Sequence, residues 1–590
     1  MAQTTTPRTR FVSLPERTKL LIMSLAVGIG SGFAAVVLEK LIDWIRSLVQ
    51  SVGGGSYHWQ YLIFPGIGML LSLLALRYLI KDDISHGVTK ALVAVSKNDS
   101  RIKPHNMWSS VLTSALTIGF GGSVGAEAPI VYTGAAIGSN VARACKLSYR
   151  NMTVLLGCGA AGAIAGIFKA PMAGVLFVME ILLFNISMSS LLPILISTVS
   201  ATVVSTLLLG GSHPFRCAIT PFSMGNIPFY IILGVFCGLF SIYFLRTTLK
   251  MEDRLASYKN RYLKWLVCSV GLGLLIFLFP HLYGEGYDSL QQLLTGEPID
   301  LDAQTPLSFF FSKSWGIPLF FLCVMLLKVV SMTLTNAGGG VGGTFGPTLF
   351  VGALGGFVIA RCINLALVNA GISVPEQNFV LAGMAGLMAG VMQAPMTAIF
   401  LIAEATGGYE LFLPLIIVAT ISFGTSRIFE HYSIYTKRIA QSGELLTHDS
   451  DRTVLTLLHT SDLIRDKYPR VHMEQTLREV LPVLSENAVA VYPVVDDKDR
   501  FQGLLDIDVM RKYLLRTDLY DTMHVYNLMQ QPPVFVYDDE DVSSVMDKFD
   551  RTEAWRLPVV TRDHRYLGFI SKSRILMAYR DELKAISTED

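Results

Sequence analysis

The chain has 590 residues, 51% of them hydrophobic and only 16% charged, with a mean hydropathy of +0.47. That is membrane composition and excludes a purely soluble protein. A net charge of +2 offers no basis for a nucleic-acid partner. The charge is unevenly spread: 44 of the 94 Asp, Glu, Lys and Arg residues lie in the last 140 positions, so a membrane part precedes a soluble one. The seven cysteines (Cys145, Cys158, Cys217, Cys237, Cys268, Cys323 and Cys362) all fall in the membrane part without a CxxC pair. They read as small packing residues, and no metal site is expected.

Arg8, Arg10, Arg17 and Lys19 precede the first apolar span and predict a cytoplasmic N-terminus. That span is too long for a signal peptide, so no cleavage is expected. Residues 20–49 read as one long helix and 61–80 as a second span. A polar passage, 81–90, leads into the apolar run 91–95, which is too short to cross a bilayer. Such interrupted backbone is tolerated at membrane depth only where it lines a cavity or is buried in protein. Runs 108–120 and 129–144 flank a loop containing Glu127; 154–184, 191–209 and 228–245 follow. Runs 261–280, 316–335, 347–368, 379–390 and 398–423 complete the membrane part. From about Leu458 the pattern becomes soluble α/β. Residues 489–506 parallel 555–571, with Pro493/Pro558, Arg500/Arg565 and Gly503/Gly568 at one offset. Each copy reads strand, turn, strand, helix, with a helix before it.

Gly125-Ala126-Glu127-Ala128-Pro129 sets a carboxylate in an apolar, glycine-rich stretch just before a helix-length run. Proline suits a first helical turn, so Glu127 is predicted at a helix N-terminus. There it lies beside unpaired N–H groups and the positive end of the dipole, an anion site with the protein's own anion next to it. The pattern returns at Gly343-Thr344-Phe345-Gly346-Pro347, both copies running G-x-x-x-P-x-x-x-x-G-A. A second pair follows: 161–172 with Glu180 beyond it matches 385–396 with Glu404 beyond it. Paired Gly/Pro-interrupted segments in two membrane halves point to a transport site at the repeat interface. Gly157-Cys158-Gly159-Ala160-Ala161-Gly162 spells a dinucleotide fingerprint inside an apolar helix and is a false match. No HExxH, P-loop, nucleophile elbow or metal-ligand cluster appears, so neither catalytic nor metal residues are expected and the chain does not read as an enzyme.

GAEAP, GTFGP, a tyrosine late in the membrane part and the paired soluble motifs together resemble the CLC chloride channel/transporter family with a C-terminal CBS pair. The resemblance covers about residues 16–582. It implies a mainly α, polytopic membrane protein of two inverted repeats of broken, tilted helices, plus a C-terminal α/β domain. The implied boundaries are a cytoplasmic tail to 15, a membrane domain over 16–445 with halves at about 16–220 and 225–440, and a linker over 446–460. CBS motifs at 461–518 and 525–582 and a tail over 583–590 follow. The family is a homodimer in the lipid bilayer with one pore per subunit and chloride as the transported ion, without a cofactor.

By the same resemblance Glu127 is the gating glutamate: an acid at membrane depth is expensive, and here it would occupy the pore and leave when protonated or displaced. Gly125, Ala126 and Ala128 would bind anion beside it. Thr344 and Phe345 would contribute backbone N–H groups, Gly346 would bind anion with them, and Tyr435 in HYSIYTKRIA, rather than Tyr432, would be an anion ligand. The family's first anion loop, usually G-S-G-I-P, aligns with Ser85-His86-Gly87-Val88-Thr89, so His86 stands at the serine position and the proline is absent. Titration of His86 near neutral pH would make conduction pH-sensitive. Glu180 and Glu404, at equivalent repeat positions, are expected to bond helix ends. Proton-coupled members carry a second acid where this chain has Ile181; channel members have an apolar residue there. The expectation is therefore a passive voltage- or pH-gated chloride channel in the plasma (inner) membrane, with both termini cytoplasmic. A proton/chloride antiporter is the alternative and a membrane-anchored CBS sensor the remote one. Adenosine-binding CBS modules resemble one another in a [ST]-x-x-D after the last strand. Asp506-Ile507-Asp508-Val509 and Ser571-Lys572-Ser573-Arg574 both lack that acid in place, so dimerisation or gate transmission is expected over adenine-nucleotide binding.

Overall fold

The computed structural model describes residues 15–52, 60–82, 84, 86–97, 100–182, 188–297, 311, 315–441, 458–465, 468–487, 489–552 and 554–587. The chain divides into two compact units, residues 1–445 and 446–590.

The first unit is helical. Its first half comprises α1 (Glu16–Val52), α2 (Gln60–Leu74), α3 (Gly87–Lys97), α4 (Ser109–Gly119), α5 (Glu127–Ala144), α6 (Tyr149–Phe168), α7 (Pro171–Phe177) and α8 (Met188–Leu209). The second comprises α9 (Ile227–Ala256), α10 (Arg261–Leu278), α11 (Tyr287–Thr295), α12 (Gly316–Ala337), α13 (Phe345–Ala366), α14 (Glu376–Met392), α15 (Pro395–Ala405) and α16 (Phe412–Phe429). Among the described residues nine helices are long and apolar enough to cross a bilayer, and the chain is an integral membrane protein. The helices over 87–96, 109–119, 171–182 and 395–405 are apolar but too short.

Two runs expected to be continuous are broken. In 154–184, α6 ends at Lys169, which has left-handed backbone (φ 52°), and Pro171 opens α7; positions 183 and 184 lie outside the described residues. In 398–423, α15 stops at Ala405, Gly407 turns the chain at φ 76°, and α16 begins at Phe412. A proline in the first turn starts a helix readily but cannot continue the one before it. Gln393, at φ 55° before Pro395, repeats Lys169 in the second half.

The helices after the two GxxxP motifs pack against their successors, α5 on α6 and α13 on α14. Close approach demands glycine there. A Cβ on Gly159 would lie 1.9 Å from the Gly134 carbonyl oxygen, and one on Gly383 would lie 2.3 Å from that of Gly352. Small residues let helix backbones touch where lipid supplies no hydrophobic drive for association.

In the second unit, two three-stranded sheets repeat one topology. The strand β1 (Val471–His472) runs parallel to β2 (Val491–Val495), which pairs antiparallel with β3 (Phe501–Asp506). Likewise β4 (Val536–Tyr537) is parallel to β5 (Arg556–Val560), which is antiparallel to β6 (Tyr566–Ser571). Both antiparallel pairs shift register at the same place, Val494/Val495 and Val559/Val560.

Candidate anion site between two helix N-termini

The loop before α5 and the loop before α13 meet. The Gly125 N–H donates to the Gly343 carbonyl (3.1 Å) and the Gly343 N–H donates back to Gly125 (2.7 Å). This antiparallel bridge sets two helix N-termini, one from each half, face to face. Glu127 is the first residue of α5 and is 1% exposed. Its Oε2 accepts from the Gly346 N–H at the start of α13 (3.1 Å), and its Oε1 accepts from the Tyr287 hydroxyl (2.5 Å). The carboxylate of one half thus occupies an unpaired amide at the positive helix end of the other. Gly125 and Gly346 make room: a Cβ there would lie 2.1 and 2.9 Å from Glu127 carboxylate oxygens. Phe345, at the equivalent position in the second half, packs its ring against Phe168 and Phe177 at 5.5 and 6.2 Å.

Cavities open on both sides of this point. One is narrow and is lined by residues that include His86, Thr89, Ala128, Glu252, Thr344 and Tyr435. The other, the larger, is lined by residues that include Glu39, Asp43, Arg46, Ala126, Glu285 and Tyr287. Glu127 lies between Ala126 at one cavity and Ala128 at the other.

Tyr435 is buried and its phenol oxygen accepts from Thr344 Oγ1 (3.5 Å), whereas Tyr432 is 40% exposed. Gly87 and Val88 form the first turn of α3, and Gly87 lies so near Ala128 that a Cβ would reach its carbonyl at 2.6 Å. His86, at φ 58°, precedes that helix and sets Nε2 3.6 Å from Glu252 Oε1 on α9. Ser85 lies outside the described residues. The structure therefore brings His86, Gly87, Val88, Gly125, Ala126, Ala128, Thr344, Phe345, Gly346 and Tyr435 around Glu127 or its cavities.

Ile181 is buried in a π turn, Val178–Leu182, after α7. Its neighbour Glu180 serves the other half. Both carboxylate oxygens accept amide N–H groups at the start of α15, from Met396 (3.0 Å) and Thr397 (2.8 Å). Glu404 returns the bond to the start of α7, accepting from Met172 (3.1 Å) and Ala173 (3.0 Å). The two acids are reciprocal helix caps across the repeat, satisfying donors that no turn of helix can reach.

Sequence reasoning missed Glu285, Tyr287, Glu252 and Lys328. Glu285 is 7% exposed and its Oε1 accepts the Ala126 N–H (2.9 Å), an amide assigned to anion. Lys328, fully buried in α12, donates to the Gly284 carbonyl (2.8 Å) and lies 5.1 Å from the Phe350 ring centroid. The signal was present. Glu285 stands between two glycines after an apolar span, the context that singled out Glu127, and Lys328 is a lone charge in a 22-residue apolar helix.

A family model described as voltage gated chloride channel matches residues 67–427, and the CBS domain model matches 461–516 and 525–581. The chain belongs to the voltage-gated chloride channel family, with a CBS pair following the membrane unit. Chloride channel protein CLC-e of Arabidopsis thaliana is 26% identical over 439 residues, 69% of this chain and 59% of the relative, so the match spans less than two thirds of that protein. Chloride channel protein CLC-f of the same plant is 25% identical over 567 residues, 85% of this chain and 70% of its own. Among solved structures, a slow cyanobacterial Cl⁻/H⁺ antiporter superposes with a TM-score of 0.62 at 21% identity, covering 73% of this chain and all but 1% of its own. That likeness is one of fold.

Proposed function

We propose that the chain is a passive chloride channel gated by Glu127. The observation that carries this is the Glu127 carboxylate seated on the Gly346 amide between two cavities. An anion moving from one cavity to the other needs those helix-end N–H groups, and a carboxylate held there competes for them. Protonation or displacement of Glu127 frees the site. Thr344, Phe345, Tyr435, Gly125, Ala126, Ala128 and the turn from His86 to Val88 line the ion's route, and His86 tunes it. Ile181 supports passive flow, because an apolar side chain cannot hold a proton beside the route. The protein works as a homodimer in the plasma (inner) membrane with both termini cytoplasmic. Its CBS pair transmits gating rather than binding adenine nucleotide.

One observation favours proton/chloride exchange as the second reading: His86 and Glu252 form a titratable pair at the cavity that Tyr435 also lines. The deciding experiment measures reversal potential under combined chloride and proton gradients in reconstituted protein. Passive flow follows the chloride gradient alone. Uphill proton movement driven by chloride would replace this reading with exchange, and sodium or potassium flux equal to chloride flux would remove both.

A further inference from the structure

We infer that Glu285 is a second tethered carboxylate gate, in series with Glu127 and lining the larger cavity. The inference rests on the proposal that anions pass through the Glu127 site.

Ala126 is the N-cap of α5, so its N–H points out of the helix's positive end with no partner inside the helix. An anion entering from the larger cavity meets Ala126 before it meets Glu127, because Ala126 lines that cavity and Glu127 does not. The Ala126 amide is already held by Glu285 Oε1 at 2.9 Å. The two helix N-termini that the Gly125–Gly343 bridge sets face to face are therefore each occupied by a carboxylate: α13 by Glu127 through Gly346, and α5 by Glu285 through Ala126.

The segment that carries Glu285 is pinned. The Gly284 N–H donates to the Gly121 carbonyl (3.1 Å), Lys328 Nζ donates to the Gly284 carbonyl (2.8 Å), and Ser123 Oγ donates to the Leu282 carbonyl (2.7 Å). Two residues on, Tyr287 holds Glu127 by its hydroxyl. With the backbone anchored, Glu285 clears the amide by rotating its side chain or by accepting a proton from water in the cavity. A carboxylic acid is a weaker acceptor than a carboxylate, so the protonated form yields the amide to chloride. The charged groups acting on Glu285 are Glu127 on α5, Arg46 on α1 and Lys328 on α12. Tyr287 adjoins it, and Glu39, Asp43 and Asp288 share its cavity. Two carboxylates must therefore be neutralised or moved before an anion crosses.

The test is chloride efflux from liposomes holding the full-length protein, measured between about pH 4.5 and 8 for wild type, Glu127→Gln, Glu285→Gln and the double variant. Wild-type flux should rise with acidity more steeply than one proton allows. Glu285→Gln should raise neutral-pH flux several-fold and lower the steepness to that of one proton. Glu127→Gln should keep a shallow residual pH dependence, and the double variant should lose it. The inference is overturned if Glu127→Gln alone is flat with pH, if the double variant retains the residual dependence, or if a monodisperse Glu285→Gln protein keeps the wild-type steepness. The Glu127→Gln arm leaves Glu285 in place, so it decides the question even if Glu285→Gln does not fold. Wild-type protein that carries no chloride at any pH, or Glu127→Gln indistinguishable from wild type, overturns the gating proposal itself and with it this inference.

Discussion

Both units of the chain contain two copies of one motif, and in both the copies exchange a piece. In the membrane unit Glu180 of the first half caps α15 of the second, and Glu404 of the second caps α7 of the first. In the soluble unit Arg465 pairs with Phe569 while Gln530, at the position equivalent to Arg465, pairs with Leu504, the equivalent of Phe569. The units differ in what happens where the copies diverge. At the last strand of each CBS motif, Asp506 and Ser571 are different side chains in the same job: Asp506 accepts the Asp508 N–H, and Ser571 accepts the Arg574 N–H. At the loops of the membrane unit, Glu127 and Phe345 share a backbone and divide the chemistry, one supplying an anion and the other sitting where amides receive it. Mechanical positions keep their role when the residue changes; under the proposed function, the ion site arises where one position did not.

The strongest way to break that contrast is to remove the asymmetry. Glu127→Gln gives both loops a neutral residue. A hydrogen bond to a charged group is worth about 1.5–3 kcal/mol, so freeing the amide should raise chloride flux by about ten- to a hundredfold and flatten most of its pH dependence. Efflux of chloride from liposomes reads this directly. Native flux with the native pH profile would mean that the carboxylate on Gly346 is a structural bond and the contrast is false.

The reciprocal caps should behave oppositely. Glu180→Ala or Glu404→Ala strands two amide N–H groups, at a cost of about 1–3 kcal/mol each. Both variants should lose thermal stability in detergent by similar amounts and keep wild-type anion selectivity. Glu180 also accepts the Thr397 hydroxyl at 2.6 Å, so its variant should be slightly the less stable. A change in selectivity for only one of them would show that the symmetry hides a second functional acid.

His86→Ser tests the boundary between ion route and scaffold. The ring lines the cavity with Tyr435 and faces Glu252. Its replacement should shift the chloride/nitrate permeability ratio by roughly twofold, since one neutral hydrogen bond is worth about 1 kcal/mol or less where water competes. An unchanged ratio would place the ring with Glu252 alone.

Much of this was legible because membranes make chemistry conspicuous. A carboxylate among glycines before a proline announces a helix end at Glu127, and α5 does begin there. Repeat register paired Glu180 with Glu404, and symmetry alone pointed to helix ends. The rest depended on contacts between distant positions. Nothing near Glu127 in sequence says that its oxygens meet Tyr287 and Gly346, 160 and 219 residues away. Glu285 carried the right local signature but had no repeat partner to draw attention to it. The break at Lys169 was also written locally, in Ala170-Pro171, and apolar continuity outweighed it.

The smallest effect belongs to the soluble unit, where the repeats again do one job with two residues. Gln475 Oε1 accepts the His472 N–H at 2.9 Å, and Glu540 Oε2, at the equivalent place, accepts the Tyr537 N–H at 3.2 Å. Glu540 also holds Lys548 Nζ (2.7 Å) and Ser544 Oγ (2.8 Å). Burial pushes its carboxyl up, but the Lys548 ammonium, the Ser544 hydroxyl and the Tyr537 amide together hold it below the ordinary carboxylate range. A depressed folded value means the ionised form contributes stability above the unfolded value of about 4.3, and that contribution disappears as pH falls through the lower folded value. Glu540→Gln, which copies the first repeat into the second, should therefore cost about 0.5–1 kcal/mol at pH 7, a partly screened ion pair's worth. The deficit should shrink steadily below about pH 4. Amide hydrogen exchange in β4 and the helix Val542–Thr552 of the full-length protein measures it. A deficit that stays constant with pH would mean that the charge at Glu540 contributes nothing, and that the two repeats are interchangeable here as they are at Asp506 and Ser571.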